Sequence, residues 1–378
     1  KRDQGRLREA ELRHRLHHIN MRIRTMFTLK TLAKTTALAA GICVGALAIA
    51  YATRPAYDGT VGITYGSAFA PTRQTDVDFH IWYPGLPGGR ATTVGGNGVF
   101  FGTPAGRDTP HADGTYPMIV ISHGAGGNAG QFGWIASVLA EAGYVVVLPN
   151  HPGTTTGNAS AEAAVRVWER PADVSAVLDE ITGNPASYPY IDTSSIGMLG
   201  FSAGGYTAMA LSGARVDPER LQGFCDTGDH GMSDCAFLAH FGIDLHAMDL
   251  SPASQDLRDP RIQVAAIIDP GIVSTLTQES LAAIDIPMLI VNLGQESTVP
   301  DGVYARTAAE TIAQANYIAV PDAVHFSFLA ECKARGGEIL RNEGELDPLC
   351  DDAGGRARAD IHAELSTLIV DYLNQELS

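Results

Sequence analysis

Gly200-Phe201-Ser202-Ala203-Gly204 sets a serine between glycines, where a run of β-formers, "SIGMLGF", gives way to helix-formers, "SAGGYTAMALSGA". A G-x-S-x-G turn from strand to helix is so tight that its central residue takes strained backbone angles. The flanking glycines keep side chains off the neighbouring strand and helix. Such strain costs about 1–3 kcal/mol and persists only where the surroundings hold it. Its product is a hydroxyl standing proud of a sheet, at a helix N-terminus whose dipole favours developing negative charge. That is the setting of a nucleophile. A plain glycine turn accounts for the glycines but not for their place between a buried strand and a helix.

A serine hydroxyl is a weak nucleophile at neutral pH and needs a base within hydrogen-bond reach. "AVPDAVHFSF" supplies His325 on a loop after the last expected strand, towards the sheet edge where ligands of open α/β sheets bind. The base in turn needs a carboxylate to fix its tautomer and stabilise the imidazolium. Asp269 ends "VAAIID" and Glu296 follows "MLIVNLG", so each comes directly after an apolar run. Asp is shorter and stiffer and sits at a strand terminus. Asp269 is therefore preferred, with Glu296 as the alternative. A tetrahedral intermediate also needs donors for its oxyanion. "SHGAGGN" (122–128) follows another expected strand, and the backbone N–H groups of Ala125 and Ala203 are assigned this role. The loop is not a phosphate cradle, because neither G-x-x-x-x-G-K-[ST] nor G-x-G-x-x-G is present.

These groups lie far apart in the chain, so a fold must bring them to one edge. "YPMIVISHG" (116–124) and "GYVVVLPNHPG" (143–153) are short continuous apolar runs that end in Gly, Pro or Asn, as strands buried on both faces do. Between them "GQFGWIASVLAEAG" has helical spacing and stops at Gly143. "PADVSAVLDEITG" (171–183) is a second helix, with Pro171 at its start and Gly183 past its end. The alternation continues through "IQVAAIIDPG", "IPMLIVNLG", "VYARTAAETIAQ", "ANYIAVPDAVH" and "ADIHAELSTLIVDYLNQEL", while "DFHIWYP" (78–84) alternates like a half-buried strand. Strand–helix alternation over this length predicts an α/β fold with one mainly parallel central sheet and helices on both faces. Residues 214–260 break the rhythm and read as an insertion, either a lid over the sheet edge or a surface excursion. His230, His240 and His246 within it lack the i, i+4 spacing of a helical metal pair, so no metal site is expected. His151, in "PNHPG", reads as a packing residue.

Composition narrows the partners. Of 378 residues 45% are apolar and 18% charged, the balance of a packed globular protein. A net charge of −16 argues against nucleic acid, which needs a basic face. Residues 1–25 are Arg/His-rich and read as an upstream extension. From Met26 a short basic start leads into an apolar core of about fifteen residues that closes on Ala50-Tyr51-Ala52. This predicts a signal peptide over 26–52, the core being shorter than the ~20 residues of a spanning helix. A retained N-terminal anchor is the alternative, and only then is the membrane a partner. Ile42 before Cys43 does not fit lipid attachment. The expected mature domain is 53–378. Export leaves Cys225, Cys235, Cys332 and Cys350 in an oxidising compartment. Short loops favour Cys225–Cys235 and Cys332–Cys350 among the three pairings. Four free thiols in a cytoplasmic enzyme are the other reading.

With elbow, acid, histidine and "SHG" loop in hand, the chain resembles the serine α/β-hydrolases. More narrowly, it is similar to the bacterial predicted dienelactone hydrolases, which themselves resemble platelet-activating-factor acetylhydrolase. "IWYP", "ISHGAGGN", "NHPG", "GFSAGGYTAMAL", "AAIIDPG", "IPMLIVN" and "VHFSFL" carry the likeness, which spans roughly residues 60–372. The resemblance implies an α/β-hydrolase fold and an acid at the end of the family's sixth strand, which maps onto Asp269. Its oxyanion donors map onto Ala125 and Ala203. Two departures limit it. Dienelactone hydrolases use cysteine where this chain has Ser202, and the 214–260 insertion is long compared with the acetylhydrolase. Neither dienelactone nor phospholipid is therefore carried over as a substrate.

The expectation is an exported carboxylic ester hydrolase that needs no cofactor and acts on a small-molecule ester through Ser202, His325 and Asp269. An acyltransferase on the same three residues is one rival. A catalytically silent envelope binding protein is the other, though a pure binder has no need of all three groups.

Overall fold

Alternating residues divide each central strand between two core layers. In β6 (Tyr116–Ser122), Met118 and Val120 pack into one layer while Ile119 and Ile121 pack into the other. The computed structural model describes residues 56–228, 230–353 and 355–377, and these lie in a unit that begins at Ala56. The expected extension (1–25) and signal segment (26–52) lie outside the described residues. Among the described residues no helix is long and apolar enough to cross a membrane.

One eleven-stranded sheet organises the chain. Its N-terminal strands are β1 (Ala56–Tyr57), β2 (Val61–Ala70), β3 (Thr75–Pro84), β4 (Gly88–Val94) and β5 (Thr103–Arg107). After β6 come β7 (Val145–Pro149), then β10 (Ile191–Phe201), β11 (Val264–Ile268), β12 (Met288–Leu293) and β13 (Ala315–Val320). β8 (Thr154–Thr155) and β9 (Asn158–Ala159) form a separate ribbon. The order across the sheet is β1-β4-β5-β2-β3-β7-β6-β10-β11-β12-β13. From β7 to β13 every neighbouring pair is parallel. The β2–β3 and β3–β7 pairs are antiparallel.

Helices cover both faces, as the alternation predicted. α1 (Gly133–Glu141) and α6 (Arg358–Glu376) pack on one side. α2 (Arg170–Gly183) and α3 (Ala203–Leu211) pack on the other. In α6, Ile361, Leu365, Ile369 and Leu373 recur every fourth residue and are all fully buried. Burying each contributes about 1.5–3 kcal/mol. The α1 and α6 side is also fastened by a face-to-face stack of Trp134 on His362, with ring centroids 3.7 Å apart and planes 3° apart. His362 Nε2 donates to the Ser327 and Leu329 carbonyls at 2.9 and 3.0 Å, and Trp134 Nε1 donates to Phe328 at 3.1 Å. Both rings thus hold the loop that begins at His325.

The insertion after α3 holds short helical turns, among them α4 (Asp234–His240). Cys225 is disulfide-bonded to Cys235, and Cys332 to Cys350. The expected helix at 303–314 is shorter, running over α5 (Arg306–Thr311).

Candidate active site

The strands of the parallel half end in step. Gly200 of β10 pairs with Ser122 of β6, and Phe201 pairs with Ile268 of β11. The residues that follow them, the 123–127 loop, Ser202 and Asp269, therefore emerge at one edge. His325 joins them from the loop after β13.

Ser202 takes φ 56° and ψ −122°, a backbone region that side-chain-bearing residues rarely occupy. Its N–H donates to Ile268 O at 3.0 Å, and its carbonyl accepts from Gly271 N at 2.9 Å and Tyr206 N at 3.1 Å. The glycines around it answer to space rather than freedom. A Cβ on Gly200 would lie 2.2 Å from Gly204 O, and one on Gly204 would lie 1.9 Å from Ser122 O. One on Gly205 would meet the Pro270 backbone at 2.8 Å. These approaches lie far inside van der Waals contact, so a side chain at any of the three positions would push the elbow open.

His325 is almost fully buried and stacks on Phe201 with centroids 4.7 Å apart. Its Nδ1 donates to Asp269 Oδ2 at 3.0 Å, which leaves Nε2 as the nitrogen for a partner in the cleft. Asp269 is wholly buried at φ 44°, an angle that aspartate tolerates better than most residues. Its other oxygen, Oδ1, accepts from Asn292 Nδ2 at 2.8 Å and from Leu293 N at 2.9 Å. Asn292 is itself held, donating to Val303 O and accepting from Ala305 N and the Tyr317 hydroxyl. Glu296 is exposed and accepts a hydrogen bond from the Tyr304 hydroxyl. Of the two candidate acids, Asp269 is the one that His325 touches.

Ala125 and Ala203 both border a cavity with Ser202. Ala203 opens α3, so its N–H has no intrahelical acceptor. In the facing loop Gly126 N donates to Thr154 O and Gly127 N to Gly124 O, which fixes the backbone on either side of the Ala125 carbonyl.

Ser202 stands between two hollows. One, of about 90 Å³, is walled by Val165, Leu221, Phe224, Leu238, Leu245 and Ile272, with Cys225 beside them. Four of these six wall residues come from the insertion, so this segment covers one side of the cavity. The other hollow, of about 180 Å³, is bordered by His325, Phe326, Met232, Asp234 and Asp347. The first is mainly apolar, with Asp234 at its border, and excludes His325; the second is mixed and includes it. Among the described residues no three His, Cys, Asp or Glu side chains are grouped as a metal ion would require. His246 hydrogen bonds Asp226, and His230 bonds the Phe224 carbonyl.

Behind the 123–127 loop lies a cluster that sequence reasoning missed. Ser122 Oγ is 2.9 Å from His151 Nε2, and His151 Nδ1 is 2.9 Å from Asp173 Oδ2. Asp173 also accepts from Arg73 Nη1 at 2.8 and 3.0 Å. Ser122, His151 and Asp173 are all fully buried, so this serine has no access to a substrate. His151 is a packing residue, as expected. Burial, with Arg170 close by, holds the His151 and His123 rings neutral, His123 near a pKa of about 3. His123 Nδ1 accordingly donates to Gly124 O at 2.7 Å.

The strand order, the covering helices and the place of the strained serine give the chain the fold of the serine α/β-hydrolases. The profile of the prolyl oligopeptidase family matches residues 130–218, a stretch that holds α1, α2 and the Ser202 turn. Among solved structures, the chain is similar to a ferulic acid esterase from Streptomyces cinnamoneus, with a TM-score of 0.57 and 17% identity over 86% of this chain and 91% of that one. A dienelactone hydrolase from Anabaena variabilis aligns at TM-score 0.47 and 12% identity, covering 85% of this chain and 100% of that one. An acylaminoacyl peptidase from Pyrococcus horikoshii aligns at TM-score 0.47 and 12% identity, over 84% of this chain and 42% of that one. At such identities the likeness is one of fold, and chemistry has to be argued from the site. Compared by sequence with curated proteins, the chain has no match.

Proposed function

We propose that the chain is a serine hydrolase that cleaves carboxylic esters of short acyl chains through an acyl-enzyme, with no cofactor. One observation supports this reading above the rest. Ser202, held at φ 56°, sits where an apolar chamber meets a cleft bordered by a histidine whose Nδ1 is bonded to the buried Asp269.

In this reading His325 Nε2 takes the Ser202 proton as Oγ attacks the acyl carbon. Asp269 fixes the tautomer and stabilises the imidazolium. The carbonyl electron pair moves onto oxygen, and the Ala125 and Ala203 N–H groups stabilise that charge. Collapse breaks the bond to the alcohol oxygen, which takes the proton from His325 and departs. Water, losing a proton to His325, then adds to the acyl-enzyme. Collapse of the second intermediate releases the carboxylic acid and restores the serine. The leaving alcohol must lie beside His325, so it occupies the mixed cleft and the acyl chain takes the apolar chamber. A chamber of about 90 Å³ is smaller than the roughly 150 Å³ dry cavity that holds benzene, which supports a short acyl group.

The same reading places the protein outside the cytoplasm. Its support is the two disulfides, which persist in oxidising compartments.

The test is labelling and turnover. Wild-type protein should bind one fluorophosphonate per chain at Ser202 and show burst kinetics with p-nitrophenyl acetate, while Ser202→Ala should lose both. Full activity in that variant would sink the assignment. Added acceptor alcohols separate hydrolysis from acyl transfer by their products, and a p-nitroanilide separates ester from amide cleavage. Ligand binding without any acyl-enzyme would favour the silent binding protein.

A further inference from the structure

The two proposed oxyanion donors belong to different parts of the chain, and one buried side chain touches both parts. Arg170, the first residue of α2, is 1% exposed. Its Nη2 donates to the His123 carbonyl and, at 3.4 Å, to Ser122 Oγ, which fastens the loop carrying Ala125. Its Nε donates to Thr207 Oγ1 at 3.1 Å, and Thr207 Oγ1 donates to the Ala203 carbonyl at 2.9 Å. That fastens the first turn of α3. Its Nη1 donates to Thr154 Oγ1 at 2.7 Å, and the Thr154 carbonyl accepts the Gly126 N–H at 2.9 Å. Every bond made by this guanidinium therefore ends on the Ala125 loop, on its support, or on the nucleophile helix.

A buried cation in such a place needs compensation. Burial pulls the Arg170 pKa down to about 9, while Asp173 pulls it back up, so the group is charged at neutral pH. Arg73 bonds Asp173 from the far side and donates to Pro152 O at 2.8 Å, which closes the cluster. A packing role alone is served by any shape that fills the space. It does not call for a planar fork whose donors divide between two catalytic segments.

We propose that Arg170 is a positioning residue of the oxyanion hole, holding the Ala125 loop and the Ala203 helix start at the separation a tetrahedral oxyanion requires. This rests on the reading of Ser202 as the nucleophile. The residue acts through the backbone it holds and not by contact with substrate. Its effect belongs to the transition state, because a loosened hole still admits the planar ester.

Arg170→Lys and Thr207→Val test it, the second cutting only the link to α3. Three quantities are compared with wild type: the melting transition, kcat and KM on p-nitrophenyl acetate, and the inhibition constant of n-butylboronic acid. That acid adds to a serine to give an anionic tetrahedral adduct. The expected result is a cooperative melt, KM within about twofold, and kcat lowered about 10- to 100-fold, below the loss on deleting a donor outright. The boronate constant should rise by a matching factor. Folded variants with unchanged kcat and boronate affinity would overturn the proposal, as would variants whose only loss is in KM. Should Arg170→Lys fail to fold, Thr207→Val decides alone. A wild type that Ser202-directed phosphonate does not label removes the parent reading and this one with it. A labelled, active wild type with unmoved variants removes only the role of Arg170.

Discussion

Asp269 has three donors on two oxygens: His325 Nδ1 on one, Asn292 Nδ2 and Leu293 N on the other. An amide at this position keeps the shape but cannot accept from all three, and it presents an N–H to the histidine in the wrong tautomer. Asp269→Asn should therefore lower kcat by about 10⁴-fold, while Glu296→Gln changes it little. Equal losses in the two variants, measured on one ester, would refute this division of roles. The residues with a strong local signal were legible in the sequence. Ser202 stands in a glycine pattern forced by close approach, and His325 and Asp269 sit just past apolar runs. Arg170, Asp173 and Thr207 had no such signal. "RPADV" reads as a helix start, and nothing in it says that the arginine meets His123, 47 positions earlier in the chain. Buried polar partners brought together by tertiary structure leave no periodic trace.

Elements differ in legibility for a related reason. β7 and β11 are buried along their whole length, so their continuous apolar runs announce parallel strands. β4, "GGRATTV", and β5, "TPAGR", are partly exposed and carry Gly, Pro and Arg, so they resemble loops and leave little trace of the antiparallel side of the sheet. The insertion shows in the sequence only as a break in rhythm. Its consequence is geometric: Cys225 borders the apolar chamber, and its disulfide to Cys235 ties that wall to α4, which supplies Phe237 and Leu238. Opening the bond should let the wall retreat. The Cys225→Ser/Cys235→Ser protein should lose about 2–3 kcal/mol of stability, and its preference for acetate over octanoate esters should fall about tenfold in kcat/KM. An unchanged chain-length profile in the folded double variant would show that the lid does not set acyl size.

For the molecule as a whole, buried histidines set the acid limit. Burial lowers the pKa of His80 to about 4, of His123 to about 3, of His362 to about 4 and that of His151 well below its usual value. The unfolded chain protonates all four near pH 6.5. Below that pH the unfolded state binds more protons than the folded one, so stability falls with pH from about 6.5 to about 4 and is intact above 6.5. Asp173, which burial pushes up to about 7 against the pull of Arg73 and Arg170, opposes this by at most about one proton. Melting temperature against pH should therefore show a net uptake of about three protons on unfolding in this window, four histidines less Asp173. A flat profile there would mean that the rings are charged in the fold. The stack of Trp134 on His362 makes one of these protonations visible. A neutral imidazole quenches indole fluorescence weakly and an imidazolium quenches it strongly. With Trp82 and Trp168 replaced by Phe, the emission of Trp134 thus becomes an optical gauge of the moment when acid reaches the joint between α1 and α6.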